Sequence, residues 1–230
     1  MAEQLERLIL SGHLREGEQL PSERELMASF SVGRPAVREA MLALEKNGLV
    51  RLSNGERARV HRPDARTLLS GMSAAVRAAM STDEGVRNFQ SARALFEVAL
   101  ARYAAQHASP DQIERMAEAL RRNKQALGDP SMFEVTDVAF HYEIVVVGRN
   151  PLFLGMHEAL SGWLREQRHV VLEDTAADRR AYAFHARIFE AIAAHDADTA
   201  EKHMTNHLRD VERRFWKIRL ADRASGRNAA

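Results

Sequence analysis

The sequence predicts a mainly α-helical protein in two parts: a short N-terminal domain of three helices and a β-hairpin, then an all-helical bundle. Three observations predict it. Glycine, proline and other turn residues gather before about residue 64, after which the chain is alanine-rich and keeps a helical apolar period almost to its end. Asn54-Gly55 stands between two short β-prone runs, the strongest short-range hairpin signal. The 230 residues are 45% hydrophobic and 28% charged, the proportions of an ordinary globular protein.

The first part is expected over residues 1–63. Leu5, Leu8 and Ile9 give a short first helix one apolar face. Pro21-Ser22 followed by Glu25 reads as a capping box that opens a second helix, Glu23 to about Phe30. Ser31-Val32-Gly33 makes a tight turn, and Pro35 sits where its fixed φ suits the first turn of a third helix. Val37, Met41 and Leu44 are that helix's buried stripe, and Gly48 ends it. Leu49, Val50 and Leu52 then pair with Ala58 and Val60 across Asn54-Gly55 to form a wing.

The second part, residues 64–230, is expected to hold six or seven helices. Ile113, Met116, Ala117, Leu120 and Leu127 mark one buried face. Breaks fall at Ser109-Pro110, Gly128-Asp129-Pro130, Gly148-Arg149-Asn150-Pro151, Glu173-Asp174-Thr175 and His195-Asp196-Ala197-Asp198, with Asp198 and Glu201 as a cap pair. The small, polar and basic residues from about Ala221 are expected to lie outside the bundle as a disordered tail.

Composition excludes several chemistries. With no cysteine there are no disulfides, thiolate zinc sites or thiol nucleophiles. The start, MAEQLERLILSG, is amphipathic and carries two glutamates and an arginine, so it does not read as a signal peptide. No apolar run approaches the length of a membrane span, and a cytoplasmic location is expected.

The net charge of +1 is uninformative, but its distribution is not. From Arg34 to Arg62 seven basic residues stand against three glutamates. A basic stripe on a neutral chain is the footprint of a small DNA-reading module. Two short helices joined by a tight turn and followed by a wing suit the major groove. Arg34 and Arg38 lie one turn apart on the second helix of that pair, and arginine can bind guanine O6 and N7 with two hydrogen bonds. Arg24 can hold a phosphate or reach a base, and Gly55 lets the wing backbone approach the minor groove with Arg57 or Arg59 behind it. The competing reading makes the arginines a solvated face paired with Glu39 and Glu45.

Asp137 and His141 are spaced i and i+4, on one helical face. His185 and His207 join them if Phe184 and Ile188, and Met204, Leu208 and Val211, mark inward stripes of the two following helices. Three imidazoles and a carboxylate suit a divalent metal, zinc first, with nickel, manganese and iron open. The ten histidines also include His107, His157, His169, His195 and His203, and His203 and His207 form an i, i+4 pair of their own.

The run GEQLPSERELMASFSVGRPAVREAMLALEKNGLVRLSNGERARV resembles the winged-helix domain of the GntR family of bacterial regulators. The resemblance places DNA contacts at Arg24, Gly33, Arg34, Pro35, Arg38 and Gly55. Gly33 and Pro35 stand where relatives often have hydroxyl residues, so only backbone or apolar contact carries over there. The later part resembles the FCD-type ligand-binding domain of the FadR subfamily. Asp-Val-Ala-Phe-His, Ala-Phe-His-Ala-Arg-Ile and Asn-His-Leu match its metal motifs at Asp137, His141, His185 and His207. Arg93 in SARALFE matches the pocket arginine, and Glu97 its accompanying acid, for which an intrahelical pair with Arg93 is the structural alternative. Within the subfamily, the first run extended through His61-Arg62-Pro63, with RYAAQHA and NPLF, is most similar to sialic-acid-responsive repressors. That resemblance implies a homodimer on operator DNA, a repressor of genes for sialic acid catabolism or transport, released by N-acetylneuraminate. It also implies an N-terminal extension that is short here. One rival reading is an FCD-type regulator that responds to a different sugar acid or carboxylate; the other is an enzyme, a metal-dependent hydrolase or lyase using the same cluster to activate water. The enzyme reading lacks a positioned general base other than Glu97, so no catalytic residue is assigned.

Overall fold

The computed structural model describes residues 1–52, 57–61, 78, 80–168 and 175–224. The chain divides into two compact units, Met1–Ser73 and Ala74–Ala230. The boundary expected at residues 63–64 falls outside the described residues, as does the Asn54-Gly55 turn.

The first unit holds α1 (Ala2–Leu10), α2 (Glu23–Phe30), α3 (Arg34–Lys46), β1 (Val50–Arg51) and β2 (Arg59–Val60). The capping box forms: Glu25 N donates to Ser22 Oγ, and Ser22 N donates to Glu25 Oε2 at 2.7 Å. Ser31 leaves α2 in the left-handed region at φ 51°, which turns the chain sharply toward Gly33 and α3. Leu5 and Ile9, Leu20, Leu26, Val37, Met41, Leu44, Leu49, Val50 and Val60 form one core. The strands are antiparallel, pairing Val50 with Val60 and Arg51 with Arg59. They are shorter than the apolar pattern suggested: Leu49, Val50 and Val60 are buried, while Leu52, just past β1, is 38% exposed. A third segment joins them at Gln19–Arg59, with Leu20 N donating to Ala58 O and Val60 N to Glu18 O. It runs for a single bridge, too short to carry an alternating pattern.

The second unit holds α4 (Asp83–His107), α5 (Pro110–Gln125), α6 (Pro130–Val146), α7 (Pro151–Arg168), α8 (Thr175–Ala193) and α9 (Ala197–Ala224), six helices among the described residues. Three of the breaks have a local cause, while the break expected at Glu173-Asp174 lies outside the described residues. Ser109 and Gln112 form a capping box, and Asp129 accepts from Met132 N at 3.0 Å. Gly128 takes φ 98°, which glycine adopts without a Cβ penalty. The cap of α9 is Asp196, which accepts from Thr199 N at 3.0 Å, rather than Asp198. Asp198 and Glu201 instead both accept from Arg102 of α4, so the expected cap pair ties two helices together. The first residues of the expected tail are helical instead, and residues 225–230 lie outside the described residues. Helix α9 continues through Ala224, and Arg219 and Arg223 hold Asp83 at the start of α4.

Helix α4 packs on α9 along its length, α9 on α8, and α5 on α6 and α8. Ala101, Ala104 and Ala105 present almost no bulk, so these backbones approach closely around Phe140, Ile188, Ile192 and Met204. The buried line of α5 runs Gln112, Met116, Ala119, Asn123. Ile113 and Leu120 of the expected face are only partly buried beside it. No described helix is long and apolar enough to cross a membrane.

Candidate metal centre and DNA-reading face

Three helices bring Asp137, His141, His185 and His207 together. Asp137 and His141 stack one turn apart on α6, His185 projects from α8 between Ala181 and Ile188, and His207 from α9 between Met204 and Leu208. All four are buried, and one ligand atom from each lies within 4.8 Å of the others. His185 Nε2 is 3.4 Å from Asp137 Oδ1 and 3.4 Å from His207 Nε2. Nitrogen and oxygen ligands about 2.0–2.1 Å from a tetrahedral zinc stand roughly 3.3 Å apart, so these spacings suit such an ion.

The polar bookkeeping points the same way. Both ring nitrogens of His141 and Nδ1 of His207 are buried without a hydrogen-bond partner. Burial is costly for such groups unless something satisfies them. Burial, followed by the neighbouring His185 and His141, holds His207 well below the usual imidazole pKa, so it presents a neutral ring. Three imidazoles and a carboxylate are the donor set a divalent ion takes, and the residues present fit one.

Around the cluster the supporting groups are also buried. Arg93 Nε donates to Glu97 Oε1 at 2.5 Å, and Glu97 Oε2 lies 2.7 Å from His141 Nδ1, outside hydrogen-bond geometry. Burial opposes ionisation of Glu97, but Arg93 and His141 outweigh it and hold the carboxyl well below the usual range. On the far side of the cluster, His185 Nδ1 meets Asn123 Oδ1 at 2.9 Å. A cavity of about 710 Å³ opens between α4, α6, α8 and α9, bordered by Gln90, Arg93, Asp137, Thr205 and Leu208 among others. Asp137 and Arg93 therefore face one space that is large enough for a sugar-sized ligand.

The other histidines lie elsewhere. His107 stacks on Tyr103, His195 meets Ala105 O, and His203 is only partly buried. His157 is buried beside Ser161, and burial pushes its pKa down to about 4. His169 is outside the described residues.

In the first unit, Arg24, Gly33, Arg34, Pro35 and Arg38 are all exposed on α2, its turn and α3. Gly33 is the N-cap of α3 and supplies no side-chain cap, which leaves the first N–H groups of that helix facing out. Arg34 Nε donates to Glu23 Oε2 at 2.9 Å, and Arg38 Nε reaches Glu23 Oε1 at 3.5 Å. The partner of both arginines is thus Glu23 on α2. Glu45, one of the two acids expected there, accepts from Leu52 N instead. Arg59 donates to Gly17 O at 3.1 Å and so is drawn back toward its own domain. Gly55 lies outside the described residues.

Sequence reasoning missed Glu23 and Asn123. Glu23 sits inside a capping motif and reads as helix-start chemistry. Asn123 lies between Arg122 and Lys124, a triplet that reads as surface.

Residues 1–60 match the family described as "Bacterial regulatory proteins, gntR family", and residues 89–210 match the FCD domain. The chain is 43% identical over 211 residues to the HTH-type transcriptional repressor NanR of Escherichia coli K12, covering 91% of this chain and 80% of that repressor. It is also 43% identical over 211 residues to the repressor of the same name from Edwardsiella tarda, covering 91% and 81%. Among solved structures, a GntR protein of Streptococcus agalactiae superposes with a TM-score of 0.66 at 21% identity, over 92% of this chain and 97% of that one. McbR/YncC of Escherichia coli superposes with a TM-score of 0.55 at 15% identity, over 94% and 95%, and at these identities both show a shared fold.

Proposed function

The chain belongs to the gntR family of bacterial regulatory proteins and carries an FCD domain, and from that premise we propose that it is a metal-dependent, effector-released repressor. As a family member it is a DNA-binding transcription regulator and not an enzyme. The observation that carries the finer reading is the buried Asp137/His141/His185/His207 cluster beside Arg93, with Asp137 and Arg93 on one sugar-sized cavity. The names of the relatives in Escherichia coli and Edwardsiella tarda support repression as the sign of regulation.

In this reading, residues 1–63 read operator DNA through Arg24, Gly33, Arg34, Pro35, Arg38 and Gly55. Residues 64–230 sense the effector and hold two copies together, because one small module reads too few base pairs for useful specificity. The site of action is the cytoplasm, where the operator is. A divalent ion, zinc ahead of nickel, manganese or iron, would supply a Lewis acid for the carboxylate of a sugar acid. The protein's own groups do the rest. Asp137, His141, His185 and His207 would hold the ion. Arg93 spends Nε on Glu97 and still borders the cavity, where a guanidinium matches a carboxylate's two oxygens. Glu97 bridges Arg93 to His141, so a carboxylate drawing on Arg93 also acts on a ligand of the cluster. N-acetylneuraminate is the proposed effector, on the resemblance to sialic-acid-responsive repressors.

Calorimetry with zinc-loaded and chelator-treated protein is the test. Heat with N-acetylneuraminate in the zinc-loaded protein alone, reduced in Arg93→Lys, is the expected result. A signal with another sugar acid and none with N-acetylneuraminate would reject the effector and keep the sensor. Equal heat with and without zinc would reject metal dependence.

A further inference from the structure

The hydrogen bonds that run from Thr136 through Asn123 to His185 share one direction. Thr136 Oγ1 has one proton and donates it to a carbonyl of its own helix, Met132 O at 2.9 Å or Phe133 O at 3.0 Å. The same oxygen must therefore accept from Asn123, whose Nδ2 lies 3.1 Å away. That bond fixes which end of the Asn123 amide faces Thr136, and turns Oδ1 toward His185 Nδ1 at 2.9 Å. An amide oxygen only accepts, so His185 Nδ1 carries a proton. His185 Nε2, which faces Asp137 and His207, is then the ring nitrogen that carries no proton. Turning the amide over would place two N–H donors against His185 Nδ1, put the ring proton on Nε2 and block the cluster. Asn123 and His185 are 0% exposed, so no bulk water competes for these bonds.

We propose that Asn123, aimed by Thr136, is a positioning residue of the metal centre, fixing the His185 tautomer that turns an unprotonated Nε2 toward Asp137, His141 and His207. It rests on the reading of that cluster as a metal site. Partners of this kind orient a ligand ring and raise its basicity, and losing one weakens metal affinity roughly 10–100-fold. A buried asparagine that only filled space would do neither.

The test has two independent readouts on the full chain. In metal-free wild type at alkaline pH, 15N-histidine NMR should show His185 protonated at Nδ1. Zinc competition against a chelator should show affinity falling roughly 10–100-fold in Asn123→Leu and falling in the same direction in Thr136→Val. Asn123→Asp, which keeps an acceptor with no need of Thr136 to aim it, should restore zinc affinity and make the double variant with Thr136→Val insensitive to the lost hydroxyl. A His185 proton on Nε2 in wild type, or unchanged zinc affinity in folded Asn123→Leu, overturns the proposal. If Asn123→Leu does not fold, Thr136→Val and the wild-type tautomer still decide. If wild type takes up no zinc, the metal reading fails, while the tautomer signal still decides the Asn123 assignment.

Discussion

In the first unit Arg34 meets Glu23 at 2.9 Å with the arginine side chain 65% exposed and the glutamate 41% exposed. In the second, Arg93 meets Glu97 at 2.5 Å with the two side chains 7% and 5% exposed. The functional groups are the same, but solvent access sets their use. Water and salt screen the outer pair, so Glu23 holds Arg34 and Arg38 near one another at little cost and, in the proposed reading, would release them when phosphate or a base edge competes. The inner pair has no water to fall back on. Each charge depends on the other, and Glu97 passes the dependence on to His141. The proposed reading face thus rests on exchangeable contacts, and the proposed sensing centre on committed ones.

The largest expected effect breaks the inner pair. Glu97→Leu leaves the Arg93 guanidinium buried without its partner, and should cost about 3–5 kcal/mol in chemical denaturation of metal-free protein. Glu23→Leu should leave the denaturation midpoint nearly where it is in the same experiment. Equal costs would erase the contrast between the two units.

Next in size is the metal. Chelation should lower thermal stability, since an ion bound only to the folded state adds about 2.7 kcal/mol at a hundred times its Kd. His141→Ala and His185→Ala should each abolish this zinc-dependent gain and the metal content, whereas His203→Ala, outside the cluster, should retain both. Metal content unchanged in the first two variants would show that other residues hold the ion.

Smaller still is the reading face. Arg38→Ala should weaken specific operator binding by about 1–3 kcal/mol in fluorescence anisotropy and leave the thermal midpoint unchanged, because the side chain is 64% exposed. Specific binding that survives Arg34→Ala combined with Arg38→Ala would remove α3 from its assigned role. Glu23→Gln sharpens the comparison: with the arginines released, affinity for unrelated DNA should rise more than affinity for the operator.

Much of the fold could be read from the sequence because its punctuation is local. Ser22 with Glu25, Ser109 with Pro110, and Gly128-Asp129-Pro130 each act within one turn of chain, and each appears where the pattern places it. Asp196 and Asp198 show the limit. Either could cap α9 by type and spacing, and only the approach of Arg102 from α4 decides that Asp198 is used elsewhere. The four clustered side chains were legible through one i, i+4 pair, two flanking apolar stripes and the family resemblance. Their supports were not. Asn123 is polar among polar neighbours, and its burial follows from how α5 lies against α6 and α8, which no local period encodes. Glu23 was hidden for a related reason: its partners Arg34 and Arg38 reach it only after the Ser31 turn folds α3 back across α2.

The central claim is that metal and effector act together on DNA affinity. Operator binding should be followed by anisotropy while N-acetylneuraminate is added to zinc-loaded protein and, in parallel, to chelator-treated protein. A coupling free energy of about 1–3 kcal/mol would lower operator affinity 5–150-fold in the zinc-loaded sample, with no change in the chelated one. Operator affinity that stays constant in both samples, or falls equally in both, would contradict it.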